Sequence, residues 1–300
     1  MWIIFTLISV FLIALVNYID DELTADNPVK LSSDKLDPHI EVGGLVLIST
    51  LMSFVGALVV LLIFNDQIVF EQTGVLLSIG SAVPFVFLFA SYFYLLRRYP
   101  VYQVIPLYLL SSVWLLIIEI LSGVPISIPQ IIAVFLIIIG SYFLDIGKLE
   151  WKIPGKLLVT MIPVTIVWAF GLFLVRLASK TLPGTTISFW QFSGIGVIGI
   201  FLLLFVKRYR SGFLIRIREQ GKKFLGLSFC NESLSQGSYF FGNLAIAAAP
   251  AATFVSALNG LQGLFIILIF LGFGRDVKVN KIQVFSIAAI VIGAFAIERF

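Results

Sequence analysis

Apolar runs near residues 2–19, 43–64, 74–96, 101–121, 129–146, 156–178, 185–206, 224–248, 251–273 and 279–297 dictate what this chain can fold into. Crossing the hydrocarbon layer of a bilayer takes about 20 mostly apolar residues per helix, and each run meets that length to within a few residues. Hydrophobic residues make up 60% of the chain and charged ones 12%, with a mean hydropathy of +1.08, which excludes a soluble globular domain. The runs are continuous rather than alternating, and lipid satisfies no backbone polar group, so helices are favoured over a barrel. The expectation is an all-α, multi-pass protein of the cell membrane with ten transmembrane helices. No basic stretch precedes the first run and no small-residue cleavage site follows it, so it is read as a retained span.

Function classes fall away by inventory. The single cysteine, Cys230, lies in the eighth run, which rules out an intrachain disulfide. The single histidine, His39, is placed in a loop, and one His with one Cys makes a His/Cys zinc site or a Ser/His/Asp triad very hard to assemble. No GxxxxGK[ST] phosphate loop occurs, so no nucleotide cofactor is implied and an enzyme is not expected.

The ten runs divide into five and five. Ser91-Tyr92-Phe93 in the third is answered by Ser238-Tyr239-Phe240 in the eighth, and Pro100 before the fourth by Pro250 before the ninth. These echoes suggest two repeats, residues 1–147 and 148–300. Because five is odd, the second repeat re-enters the membrane upside down, and such inverted repeats form substrate sites near the midplane of their interface.

Two polar loops stand apart. Residues 20–41 carry seven acids and read as a solvated segment. Residues 207–223 carry seven of the twenty Lys and Arg residues with one acid, and without them the net charge falls from +4 to −2. The basic balance is therefore local and does not mark a nucleic-acid binder. Phe213, Leu214 and Ile217 between the arginines fit a short helix on an anionic leaflet, while a solvated topological anchor fits the same charges. The loops after the odd-numbered runs hold 17 Lys and Arg residues, against Arg176, Lys180 and Arg299 on the other side. That bias puts both termini outside the cytoplasm.

Glu232 is the acid set deepest in an apolar run. An acid at a helix centre costs about 2.5–3.5 kcal/mol on insertion scales, so it needs a partner or a task. At helical spacing Ser228, Asn231, Glu232, Ser235, Gln236, Tyr239 and Asn243 form one polar face, which must look into the bundle or a cavity. Ser256, Asn259, Gly260 and Gly263 in the ninth run, with Gln262 beside them, offer a matching surface. These groups can simply tie helices together, a reading favoured for the Ser and Gly positions, whereas Glu232 is better suited to gain and lose a proton. Glu119 near the end of the fourth run is a second acid, and Trp168, central in the sixth, is a cavity candidate. Asn17, Gln103, Ser111 and Trp190 are others, and Pro84, Pro106 and Pro163 are expected to kink their helices.

The pattern resembles the drug/metabolite transporter superfamily, in particular its members with two EamA-like five-helix halves. The resemblance spans the chain and rests on Phe189-Trp190, Asn231-Glu232, Asn243, Ala249-Pro250-Ala251, Asn259-Gly260 with Gln262, Pro100 and Gln103–Pro106. It departs from the family at Gly123-Val124 and at Gln262-Gly263, which assigns more of the polar chemistry to the second half. It implies cytoplasmic termini, against the charge bias. It also implies a secondary transporter that exports a small amino-acid-like or amphipathic metabolite by alternating access. Glu232 would couple to protons or bind a substrate amine, and Asn231, Asn243 and Asn259 would form a hydrogen-bonding wall with Gln236 and Tyr239 nearby. A flippase for lipid-linked substrates and a non-transporting membrane scaffold or sensor are the alternatives.

Overall fold

The computed structural model describes residues 1–25, 38–99, 101–146, 154–272 and 280–299. Twelve helices follow one another: α1 (Trp2–Ala25), α2 (Pro38–Phe64), α3 (Gln72–Leu96), α4 (Val101–Tyr108), α5 (Leu110–Leu121), α6 (Ile128–Ile146), α7 (Gly155–Ala178), α8 (Gly184–Phe205), α9 (Lys207–Ala248), α10 (Ala252–Leu258), α11 (Gln262–Gly272) and α12 (Lys281–Arg299). The described residues contain no strand. Among the described residues eight helical stretches are long and apolar enough to cross a membrane, which makes this an integral membrane protein. The ten-span expectation is met only in part on that criterion: the apolar part of α6 is short, and α9 carries the polar stripe.

Two of the expected spans are each broken in the middle. The fourth run is divided at Leu109, where Pro106, having no N–H of its own, begins a tight turn whose carbonyl accepts from Leu109 N at 3.2 Å. In the ninth run a 3-10 turn, Asn259–Leu261, divides α10 from α11. There the Ser141 hydroxyl of α6 donates to the Gly260 carbonyl at 2.8 Å, and a Cβ at Gly260 would lie 2.1 Å from that hydroxyl oxygen, so only glycine fits. Pro163 leaves α7 unbroken, and Pro84 packs against Gly171, where a Cβ would meet the proline ring at 2.7 Å.

The polar loops are shorter than the sequence implied. Helices α1 and α2 take in residues 20–25 and 38–41, including His39, and the rest of that acidic segment lies outside the described residues, as does Pro100. Most of 207–223 is helical, forming the start of α9 up to Gly221, whose φ of +60° breaks the helix before it turns into the membrane.

Close packing joins the two halves of the chain. Helix α2 lies along α8 and α9, α1 along α9, α3 along α7 and α8, and α6 along α12. Between α2 and α8 the contact runs through Gly196 and Gly199, where added Cβ atoms would fall 2.6 Å from Phe54 Cβ and 2.6 Å from the Thr50 hydroxyl oxygen. In lipid such small-residue seams hold helices by van der Waals contact, because no hydrophobic drive separates a helix from the tails around it. Gly199→Val is therefore expected to destabilise the protein by about 1–3 kcal/mol through overpacking, read as a lowered unfolding temperature in detergent.

Candidate functional site

The polar stripe of α9 faces inward. Ser228, Asn231, Glu232, Ser235, Gln236 and Asn243 are buried, while Phe229, Cys230 and Ser233 on the opposite side are exposed. Opposite the stripe lies a cavity of about 190 Å³ walled by α1, α3, α4, α5, α7, α9 and the broken α10–α11 pair, with Ser49 of α2 and Ser141 of α6 at its margin. Along α1 and α3 the lining positions run from Ser9 to Asn17 and from Phe85 to Phe93. Both sets lie toward the C-terminal ends of their helices, α1 leading into the acidic segment 20–41 and α3 into Arg97-Arg98.

The lining is part acidic and amidic, part aromatic. Ser49 Oγ donates to Glu232 Oε1 at 2.5 Å, which fixes the carboxyl against α2. Asn231 and Asn259 also line the space. Among the described residues nothing hydrogen-bonds to the Asn259 side chain. The same space is lined by Phe85, Phe89, Tyr92, Phe93, Tyr108, Trp168 and Tyr239. Phe85 meets Trp168 and Tyr239 edge-on with ring centroids 4.3 Å and 5.3 Å apart, and this trio forms an apolar floor. Tyr92 donates to Asn17 Oδ1 at 3.1 Å, whereas the Tyr108 hydroxyl is buried without a partner among the described residues.

Asn243 touches the cavity but is engaged behind it. Its amide donates to Gln191 Oε1 at 2.9 Å and to Ser188 Oγ at 3.1 Å, and Gln191 Nε2 donates onward to Ser81 Oγ at 2.8 Å. The chain links α9, α8 and α3 in a dry setting where an unmade hydrogen bond is expensive. Gln236 donates to Ser53 Oγ at 3.0 Å and does not line the cavity. Of the sequence-derived candidates, Glu232, Asn231, Asn243, Asn259, Tyr239 and Trp168 come together on the cavity, along with Asn17 and Ser111. Ser49, Phe85 and Tyr108 join them without having been singled out; along α2 and α3 little local contrast marks which face turns inward.

Glu119 sits elsewhere. Fully buried at the end of α5, it accepts Ala252 N at 2.8 Å, Thr253 N at 3.0 Å and the Thr253 hydroxyl at 2.5 Å, capping the start of α10. A carboxyl there meets the first orphan donors of a helix and its positive dipole end. Two further contacts close the same end of the bundle. Arg176 donates to the Ile246 and Pro250 carbonyls at 3.1 Å and 2.7 Å, tying α7 to the end of α9. Glu71 caps α3, accepting from Thr73 N at 3.1 Å, Gly74 N at 2.6 Å and the Thr181 hydroxyl at 2.9 Å. The Gly74 amide foremost, then the Thr181 hydroxyl and the Thr73 amide, hold the Glu71 carboxyl below the usual carboxylate range. Trp190, near this end, donates to Val69 O at 3.4 Å rather than lining the cavity.

Among the described residues no cluster of three or more His, Cys, Asp or Glu side chains could hold a metal. No family model matches the chain, and no curated protein matches it. One protein of known crystal structure superposes on 98% of this chain and 94% of its own length with a TM-score of 0.67 at 11% identity. The likeness is one of fold.

The two asparagines should separate by experiment. Asn243→Ala orphans Gln191 Oε1 and is expected to cost about 1–3 kcal/mol, while Asn259→Ala, which breaks no bond, stays within about 0.5 kcal/mol of wild type. Thermal unfolding of both variants in detergent measures the difference.

Proposed function

We propose that the protein is a secondary transporter of the drug/metabolite transporter type, built from two inverted five-helix repeats that rock about the cavity, and that it moves a small amphipathic metabolite bearing an amine. The observation that carries this reading is the buried Glu232 carboxyl in a cavity that aromatic rings also line. A carboxylate and ring faces together suit a cation with an apolar body. The partnerless Tyr108 hydroxyl offers a donor to an acceptor elsewhere on the same molecule.

Helix pairing supports the repeat. A shift of five spans exchanges α1 with α7, α2 with α8, α3 with the membrane part of α9, α4–α5 with α10–α11, and α6 with α12. Under that exchange the α1–α9 contact becomes α3–α7, the α2–α9 contact becomes α3–α8, the α5–α7 contact becomes α1–α11, and α2–α8 and α6–α12 map onto themselves; all of these contacts occur. The helix breaks at Leu109 and Asn259 correspond in the same way, 150 residues apart, the spacing of Pro100 and Pro250. Discontinuous helices at a repeat interface are where transporters of inverted architecture bind substrate.

Closure of one end fits alternating access. The Glu119, Arg176 and Glu71 contacts join helix ends beneath the aromatic floor, while the cavity extends along α1 and α3 toward their C-terminal ends. These bonds would have to open in the opposite state. A cavity between the helix sets weighs against a scaffold whose polar groups bond only to one another.

Purified protein in proteoliposomes tests the reading. Screened against amphipathic amines, the wild type should show saturable flux of at least one, and Glu232→Gln should lower that flux about tenfold or more, the worth of a hydrogen bond to a charged group, with little change in unfolding temperature. Normal, gradient-independent flux in that variant removes Glu232 from the mechanism.

A further inference from the structure

The start of α9, from Lys207 to the break at Gly221, has no part in the cavity, yet the fold holds it firmly in one orientation. Its inner face is pressed backbone to backbone on α2. A Cβ at Gly44 would lie 2.7 Å from the Gly212 carbonyl carbon and 3.0 Å from Phe213 N, and one at Gly43 would lie 3.0 Å from Tyr209 Cα. With Tyr209 and Gly212 seated there, the opposite stripe, Lys207, Arg210, Leu214 and Arg218 at spacings of 3, 4 and 4, is turned outward, and all four residues are exposed. Leu214 stands 56% exposed among these cations, with Phe213 and Ile217 half-buried beside it and Arg208 exposed on the flank. The segment follows directly on α8, whose last residue, Phe205, is 71% exposed, so its depth is that of a helix end at the bilayer surface.

We propose that this face is a docking surface for anionic phospholipid headgroups. A mere topological anchor needs only charge on the proper side of the membrane. It needs neither a glycine pair that lets two backbones touch nor a leucine held outward in the cationic stripe. Those features match an interfacial helix that inserts apolar side chains at the acyl boundary and sets Lys and Arg among the phosphates. The left-handed Gly221 then joins the docked segment to the membrane part of α9, eleven residues before Glu232. A headgroup bound here fixes the entry angle of the helix that carries the cavity's acid.

The test uses the full-length protein in neutral detergent micelles doped with phosphatidylglycerol, with phosphatidylcholine, or with inorganic phosphate alone. Phosphatidylglycerol should raise the unfolding temperature of the wild type saturably. The variant Lys207→Gln/Arg208→Gln/Arg210→Gln/Arg218→Gln should lose that rise, since each cation near an anionic surface contributes about fivefold in affinity. Equal stabilisation by inorganic phosphate would point to a free-anion site, and equal stabilisation of the variant by phosphatidylglycerol would move the lipid elsewhere; either overturns the proposal. Should the variant not fold, Leu214→Cys in a Cys230→Ser background, labelled with a polarity-sensitive dye, gives an independent reading. Its emission should shift to the blue in nanodiscs of phosphatidylglycerol relative to phosphatidylcholine, and identical spectra would contradict the assignment. None of these readouts depends on flux, so the transport reading stands or falls separately.

Discussion

Lipid offers no hydrogen bonds, and most of this structure follows from that constraint. Every polar side chain at membrane depth must find protein or water, so the seven-residue stripe on α9 cannot face outward. Turning it inward sets Ser49 of α2 against Glu232, Ser53 against Gln236, Ser9 of α1 against Ser238, and Gln191 of α8 against Asn243. A single helix thereby gathers its neighbours by satisfying its own polar groups. Apolar residues left over by this arrangement, such as Leu62 and Phe285, cover the outside.

The stripe has two kinds of member. Asn243 and Gln236 are spent on neighbouring helices, and removing them would chiefly loosen packing. Glu232, besides its bond to Ser49, borders open space that aromatic rings also line, as does Asn259 at the break between α10 and α11. The same sort of division separates the two deeply buried acids. Glu119 meets three donors at the start of α10 and serves as a helix cap, whereas Glu232, which accepts from Ser49, lines the cavity. Burial alone does not distinguish a structural acid from a working one. The chemistry of the surroundings does.

Much of this was legible in the chain. The positions of the apolar runs and the inward face of α9 follow from hydropathy and a 3.6-residue period, which are local properties. Glu119 was not legible, because its partners Ala252 and Thr253 are more than 130 residues away and only the fold brings them near. The breaks at Leu109 and at Asn259–Leu261 were half visible: Pro106 announces a kink, but Gly260 reads as a packing glycine until Ser141 is seen lying on it. Ser49 and Phe85 escaped notice because periodic contrast along α2 and α3 is weak and does not mark their inner faces. Gly43 and Gly44 gave no hint that the basic segment would dock on them.

The central claim is that the stripe borders water-accessible space within the bundle, and thiol accessibility in intact membranes tests it most directly. In a Cys230→Ser background, Ser235→Cys lies on the cavity wall and Ser233→Cys, two residues away, points out of the bundle. A membrane-impermeant methanethiosulfonate reagent should modify Ser235→Cys readily and leave Ser233→Cys untouched. Modification of Ser233→Cys alone, or of neither while a permeant reagent labels both, would contradict the account.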